Sequence, residues 1–142
     1  MMSKPHLIFI CTENSARSLM AEAIAKHNFG DRFEVASAGT DPQHPDIRAM
    51  EAIKRHGLSV EGLRSKSLDE FAGLTMEYAI ILCSKAKQEC SEGLPAKHIM
   101  AWDFPDPKLG ASDKAYDTTM HELSERIKMF VLLYDKQRSD KP

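Results

Sequence analysis

The 142-residue chain has little of several things, and each shortage removes a class of function. Cysteine is scarce: three residues, at 11, 83 and 90, an odd count that does not build a structural disulfide framework and suits catalytic or redox thiols in a reducing compartment. Positive charge is not in excess. Nineteen Lys and Arg stand against 21 Asp and Glu, a formal charge of −2, so the basic footprint of a nucleic-acid-binding domain is missing. No apolar run approaches the ~18–20 residues of a membrane span. The N-terminal MMSKPHLIFIC offers only LIFI and no small-residue cleavage site, so a core strand is expected there rather than a signal peptide. The six histidines (6, 27, 44, 56, 98 and 121) show no paired zinc spacing, and the eight methionines are scattered, so neither a metal nor a cofactor is expected. There are no repeats, low-complexity tracts or linkers, and residues 1–142 read as one domain with one core. The expected setting is cytoplasmic, the expected state monomeric, with no nucleic-acid or membrane partner.

What is present alternates. LIFI at 7–10 is a short buried strand. Ser15 can cap a helix over 16–28, with Leu19, Met20, Ala23 and Ile24 at helical spacing and Gly30 as its stop. FEVASAG at 33–39 is a second strand. Pro45 suits the first turn of a helix reaching His56, with Ile47, Met50, Ile53 and Lys54 along one edge and Gly57 beyond its end. A short helical piece follows at 68–72, then the clearest strand, YAIILC, at 78–83. KAKQEC at 85–90 suits a helical turn, and HIMAWDF at 98–104 a fourth strand with Trp102 in the core. From Tyr116, a stripe of Met120, Leu123, Ile127, Phe130, Val131 and Tyr134 marks a long C-terminal helix, with KQRSDKP expected to fray. The alternation predicts an α/β fold: about four parallel strands with helices on both faces.

Ligands of an open parallel sheet bind beyond the carboxyl ends of its strands. There the sequence places CTENSARS, residues 11–18, between the first strand and the first helix. Consecutive backbone N–H groups of Thr12, Glu13, Asn14, Ser15, Ala16, Arg17 and Ser18 can cradle a tetrahedral oxyanion. The same positive environment predicts a lowered pKa for Cys11, which would then be partly or wholly thiolate at neutral pH. Arg17 can grip two anion oxygens with its planar fork. Asn14 suits the left-handed turn such a loop requires. The Ser18 hydroxyl can donate to the sulfur.

With "CTENSARS" followed by "MAEA", the chain resembles the low-molecular-weight phosphotyrosine phosphatase superfamily, whose loop is C-x5-R-S. More closely it resembles the thioredoxin-coupled arsenate reductases of that superfamily. "EVASAGT", "RSKSLDEF", the "LC" closing the third strand and "WDFPDP" follow in the expected order. Two residues depart from the pattern. Glu13 stands where glycine is usual, so a carboxylate near an anion site must point away or be paired. Ala16 replaces a frequent second loop cysteine.

The resemblance implies a mechanism. Cys11 attacks arsenate held by the loop and Arg17, with Asp106 of the FPDPKLG loop as proton donor. Cys83 then attacks Cys11, arsenite leaves, Cys90 resolves the disulfide, and thioredoxin reduces the product. Phosphate and sulfate, of similar shape, would compete. On geometry alone, Cys83 lies at the carboxyl end of a strand, on the same end of the sheet as Cys11. A helix holding both Cys83 and Cys90 would keep their Cα atoms ~10 Å apart. A disulfide needs less than ~7 Å, so that segment would have to unwind. Asp103 competes with Asp106 for the acid's role. Some of the resembled reductases bind potassium through an Asn, a Glu, a Ser and an Asp. Asn14, Glu22 and Ser37 match the first three, whereas Lys66 stands at the fourth and would supply a permanent positive charge, removing any need for potassium.

The alternative activity is hydrolysis of phosphotyrosine through a phosphocysteine, which needs Cys11, Arg17 and Asp106 but neither other thiol. It also wants aromatic walls around a phenyl ring, and TDPQHPD and KLGASD supply none. A third possibility is an oxyanion or redox sensor without turnover.

Overall fold

The computed structural model describes residues 4–83, 86, 96–109 and 112–139. Four strands, β1 (His6–Cys11), β2 (Glu34–Gly39), β3 (Met76–Ile81) and β4 (Ala96–Ala101), form one parallel sheet in the order β2-β1-β3-β4. Among the described residues, the α-helices with defined bounds are α1 (Arg17–Phe29), α2 (Ile47–Arg55) and α3 (Asp113–Ser139). None of the described helices is long and apolar enough to cross a membrane.

The central strands β1 and β3 are buried on both faces, which is why they read as apolar runs rather than as alternation, whereas the edge strand β4 is largely exposed. Leu7, Phe9, Ile80, Leu82 and Trp102 face one layer with α1, α2 and α3. Every residue of the stripe expected on α3, from Tyr116 to Tyr134, is buried in this layer. Each such large side chain contributes about 1.5–3 kcal/mol when fully buried. Ile8, Ile10, Ala38, Ala79 and Ile81 face the other layer, where Leu68 and Phe71 of the 3-10 turn Leu68–Phe71 and Ala86 pack.

Several boundaries differ from the sequence expectation, for local reasons. Ser15 does not cap α1: the N-cap is Ala16, without a side-chain hydrogen bond, because the Ser15 hydroxyl is engaged elsewhere. At α2 the cap is Asp46, whose carboxylate accepts from Arg48 N at 3.0 Å, so Pro45 precedes the cap rather than opening the first turn. Ile47 points to solvent, leaving Ile53 as the buried anchor of that helix, and Gly57, at φ 77°, ends it as expected. The piece at 68–72 is a 3-10 turn. The third and fourth strands each begin two residues early and stop at Ile81 and Ala101. Beyond them the chain stays in register, since Leu82 N donates to Ile10 O, Trp102 N to Ile81 O and Phe104 N to Leu82 O. The C-terminal helix continues through Ser139, past the start of the segment expected to fray. The expected turn at 85–90 lies outside the described residues except for Ala86, and Cys90 lies outside them too.

This topology fixes the site. β1 and β3 are neighbours at the middle of the sheet, with Ile10 opposite Ile81. Cys11 follows Ile10 directly and Cys83 is two residues past Ile81, so two sulfurs reach the same carboxyl edge.

Candidate active site

The loop after β1 turns on Asn14, the single non-glycine residue with positive φ (50°) among those described. Its side chain is fully buried behind the loop. Asn14 Nδ2 donates to Ser18 Oγ at 2.7 Å and to Ser37 Oγ at 2.9 Å, and Oδ1 accepts from Lys66 N at 3.0 Å. The loop carbonyls are held away from its opening. Thr12 O accepts from Asp41 N, Glu13 O from Gln43 N, Ser15 O from Asp46 N, and Asn14 O from Ser65 Oγ. A trans peptide sets its N–H opposite its C=O, so these bonds turn the amide edge of the loop toward the cleft. Gly39 makes this possible. A Cβ there would lie 2.5 Å from Thr12 O and 3.0 Å from Asn14 N.

The cleft in front of the loop has a volume of about 500 Å³. Cys11 and Cys83 both line it, and both are buried and free of disulfides. Thr12 Oγ1 lies 3.4 Å from Cys83 Sγ, and Ala86 N donates to the same sulfur at 3.4 Å. Arg17 bridges to the opposite wall: Nη1 donates to Phe104 O at 2.6 Å, and Nη2 lies 3.9 Å from Asp106 Oδ2. Asp106 Oδ1 accepts from Lys108 N at 2.9 Å. Asp103 also lines the cleft.

The charge on the sulfur pair differs from the expectation. A depressed pKa was expected at Cys11; instead its thiol donates to Cys83, and that bond together with burial pushes its pKa well above the ordinary value, against the pull of Arg17. The partner moves the other way. The hydrogen bond from Cys11 draws Cys83 down to about 5, with Thr12 and Ala86 N helping against burial. The two thiols therefore titrate as a coupled pair whose first ionisation lies below the ordinary thiol value. The expectation overlooked that a second thiol within reach becomes the acceptor.

The structure thereby brings Cys11, Thr12, Glu13, Ser15, Ala16, Arg17, Cys83 and Asp106 to one cleft. Asn14 and Ser18 stand behind it, and Ser18 Oγ takes its hydrogen bond from Asn14. Lys66 is buried with them. Its Nζ lies 3.4 Å from Glu22 Oε1 and donates to Arg64 O at 2.9 Å, and burial lowers its pKa. Glu22 also binds Ser37 Oγ and Lys26 Nζ, both at 2.6 Å. No group of three or more His, Cys, Asp and Glu among the described residues can hold a metal ion. Sequence reasoning missed Ser65, which holds the loop from outside, and Lys108, whose Nζ donates to Glu13 Oε1 at 2.5 Å and Ser15 Oγ at 2.6 Å. The signal for Lys108 was a cation two residues after the candidate acid, across from a loop carrying an unexplained carboxylate.

Comparison with known proteins fits this geometry. An arsenate reductase of Bacillus cereus (strain Q1) is 32% identical over 130 residues, covering 92% of this chain and 96% of its own. The solved structure of an arsenate reductase in the phosphate-binding state aligns with a TM-score of 0.77 at 25% identity, covering 90% of this chain and 97% of that one. A Corynebacterium glutamicum thioredoxin-dependent arsenate reductase aligns at 0.75 and 25% identity, covering 96% of this chain and 64% of that one. Residues 6–140 match the family described as low molecular weight phosphotyrosine protein phosphatase, and the chain belongs to that family.

Proposed function

We propose that this protein reduces arsenate to arsenite through a thiol–disulfide cascade. The observation that carries the reading is the second sulfur: Cys83 lines the same cleft as Cys11, where hydrolysis of a phosphate ester needs only one thiol. Arsenate enters the amide cradle and is gripped by Arg17. The Cys11 proton passes to Cys83 along their hydrogen bond, and the Cys11 thiolate attacks arsenic. The As–O bond breaks, and Asp106 donates the proton with which that oxygen leaves as water. Cys83 then attacks Cys11. The S–S bond forms, the S–As bond breaks with its electron pair going to arsenic, and Cys83's proton ends on an arsenite oxygen. As(V) has become As(III), and the two thiols a disulfide. Cys90 attacks Cys83, releasing Cys11, and an external dithiol reduces the Cys83–Cys90 bond.

The proposed external dithiol is thioredoxin, and phosphate and sulfate are the proposed competitors for the cradle. A cytoplasmic setting keeps all three thiols reduced between turnovers. The protein acts as a monomer of one domain. Coupling arsenate, thioredoxin, thioredoxin reductase and reduced nicotinamide tests the reading. Arsenate-dependent nicotinamide oxidation is expected for wild type and is lost in Cys83→Ser and Cys90→Ser, while Cys83→Ser keeps a weak hydrolysis of aryl phosphate. Wild-type turnover in both serine variants contradicts the cascade. The second reading, hydrolysis of phosphotyrosine, is favoured by the Cys11, Arg17 and Asp106 arrangement alone. It expects full aryl phosphatase activity in Cys83→Ser and no arsenate-dependent oxidation in wild type.

A further inference from the structure

Glu13 and Lys108 stand on opposite walls of the cleft. Glu13 belongs to the oxyanion loop, and Lys108 to the 3-10 turn Pro107–Leu109 that follows Asp106. Lys108 Nζ reaches Glu13 Oε1 at 2.5 Å and Ser15 Oγ at 2.6 Å, and Ser15 Oγ in turn lies 3.3 Å from Glu13 Oε1. Both charged side chains line the cleft and are partly open to solvent, so the bridge sits at its mouth rather than at its base. Behind it lie the two sulfurs and Arg17.

A surface ion pair of this exposure adds only about 0–1 kcal/mol to stability. Its position gives it another consequence. A free tetrahedral oxyanion has no substituent and is enclosed by the cradle and Arg17. An aryl ester bound in the same cradle must send its ring outward between the oxyanion loop and the acid loop, through the space this bridge joins. We infer that the Glu13–Lys108 bridge is a specificity device that admits free inorganic oxyanions and disfavours aryl esters. The inference rests on the reading of the cleft as an oxyanion site and names the substrate class that site selects.

The test measures binding by calorimetry in wild type, Glu13→Gly, Lys108→Ala, their double variant and Lys108→Arg. The probes are inorganic phosphate and phenylphosphonate, which carries a ring and is not hydrolysed. Wild type should prefer phosphate. The ratio of the two dissociation constants should shift toward phenylphosphonate by about tenfold in each single variant. The double variant should shift no further, because one bridge is lost in all three. Lys108→Arg, which keeps the ion pair, should keep the wild-type ratio. A ratio unchanged in both single variants, or shifts that add in the double, overturns the inference. Failure of wild type to bind phosphate removes the oxyanion site and the bridge's role together. Neither probe needs a thiol cascade. A shifted ratio in a protein that does not reduce arsenate therefore leaves the bridge standing and removes the reductase reading, and the converse result does the opposite.

Discussion

At the level of single residues, the chemistry depends on where one proton sits. Cys11 and Cys83 share it, and Cys11 first, then Thr12 and Ala86 N, favour a charged Cys83 against the cost of burial. The sign follows from the direction of the shift. An acid held below its ordinary value stays ionised as pH falls through that value and takes up its proton only near the depressed one. In a Cys90→Ser background, the ultraviolet absorbance of thiolate should therefore show one equivalent per molecule at neutral pH, lost with a midpoint of about 5. Cys83→Ser should abolish that low-pH ionisation. A first thiolate appearing only at the ordinary thiol pKa, near 8.5, contradicts the shared-proton account. The sequence made Cys11 and Arg17 legible as a pair because both lie on one eight-residue loop. It did not make the charge legible, because Cys83 is 72 positions away and its contact with Cys11 exists only once β1 and β3 pair.

At the level of elements, the loop is shaped from behind by segments that carry no chemistry. Asp46 caps α2 with one carboxylate oxygen, accepts from Tyr116 of α3 at 2.5 Å with the other, and donates its N–H to Ser15 O. One residue thus ties two helices to the loop. Gly39 lets β2 approach it. Gly39→Ala forces a methyl group against the Thr12 carbonyl. The expected cost is about 1–3 kcal/mol, read as a lower denaturation midpoint, together with weakened phosphate binding. Wild-type stability with wild-type phosphate binding counts against the packing described. The Lys66 network makes a further prediction. Its ammonium sits against Glu22 among Asn14, Ser18 and Ser37, where a bound cation would meet like charge. Arsenate turnover should be indifferent to potassium at fixed ionic strength, and a several-fold rise contradicts this. Lys66→Met should be costly, about 3 kcal/mol, because the buried Glu22 is left with the half-exposed Lys26 as its remaining ion-pair partner among the described residues. The pattern "RSKS" showed a lysine near the loop, but not that it would be buried, since a lysine in a loop ordinarily reads as solvated.

For the whole molecule, strand order and helix stripes were legible because burial imposes periodicity. Leu123, Ile127, Phe130 and Val131 repeat at helical spacing, and LIFI and YAII are continuous because both faces of their strands are covered. Boundaries were less legible. The strand ends at Ile81 and Ala101 are followed by apolar residues, Leu82 and Trp102, that stay buried and hydrogen-bonded to the neighbouring strand, and hydropathy cannot mark the boundary. Lys108 was illegible for a different reason: its partner, Glu13, is 95 residues away, and only the fold brings the acid loop over the oxyanion loop. The same folding sets the two sulfurs at the head of adjacent strands, and the proposed activity stands on that adjacency. The direct measurement is a single turnover of the Cys90→Ser protein with arsenate and no external reductant, followed by peptide mass mapping and arsenite quantification. The account predicts one equivalent of arsenite per molecule and a disulfide between Cys11 and Cys83. Thiols left intact with no arsenite released would contradict it.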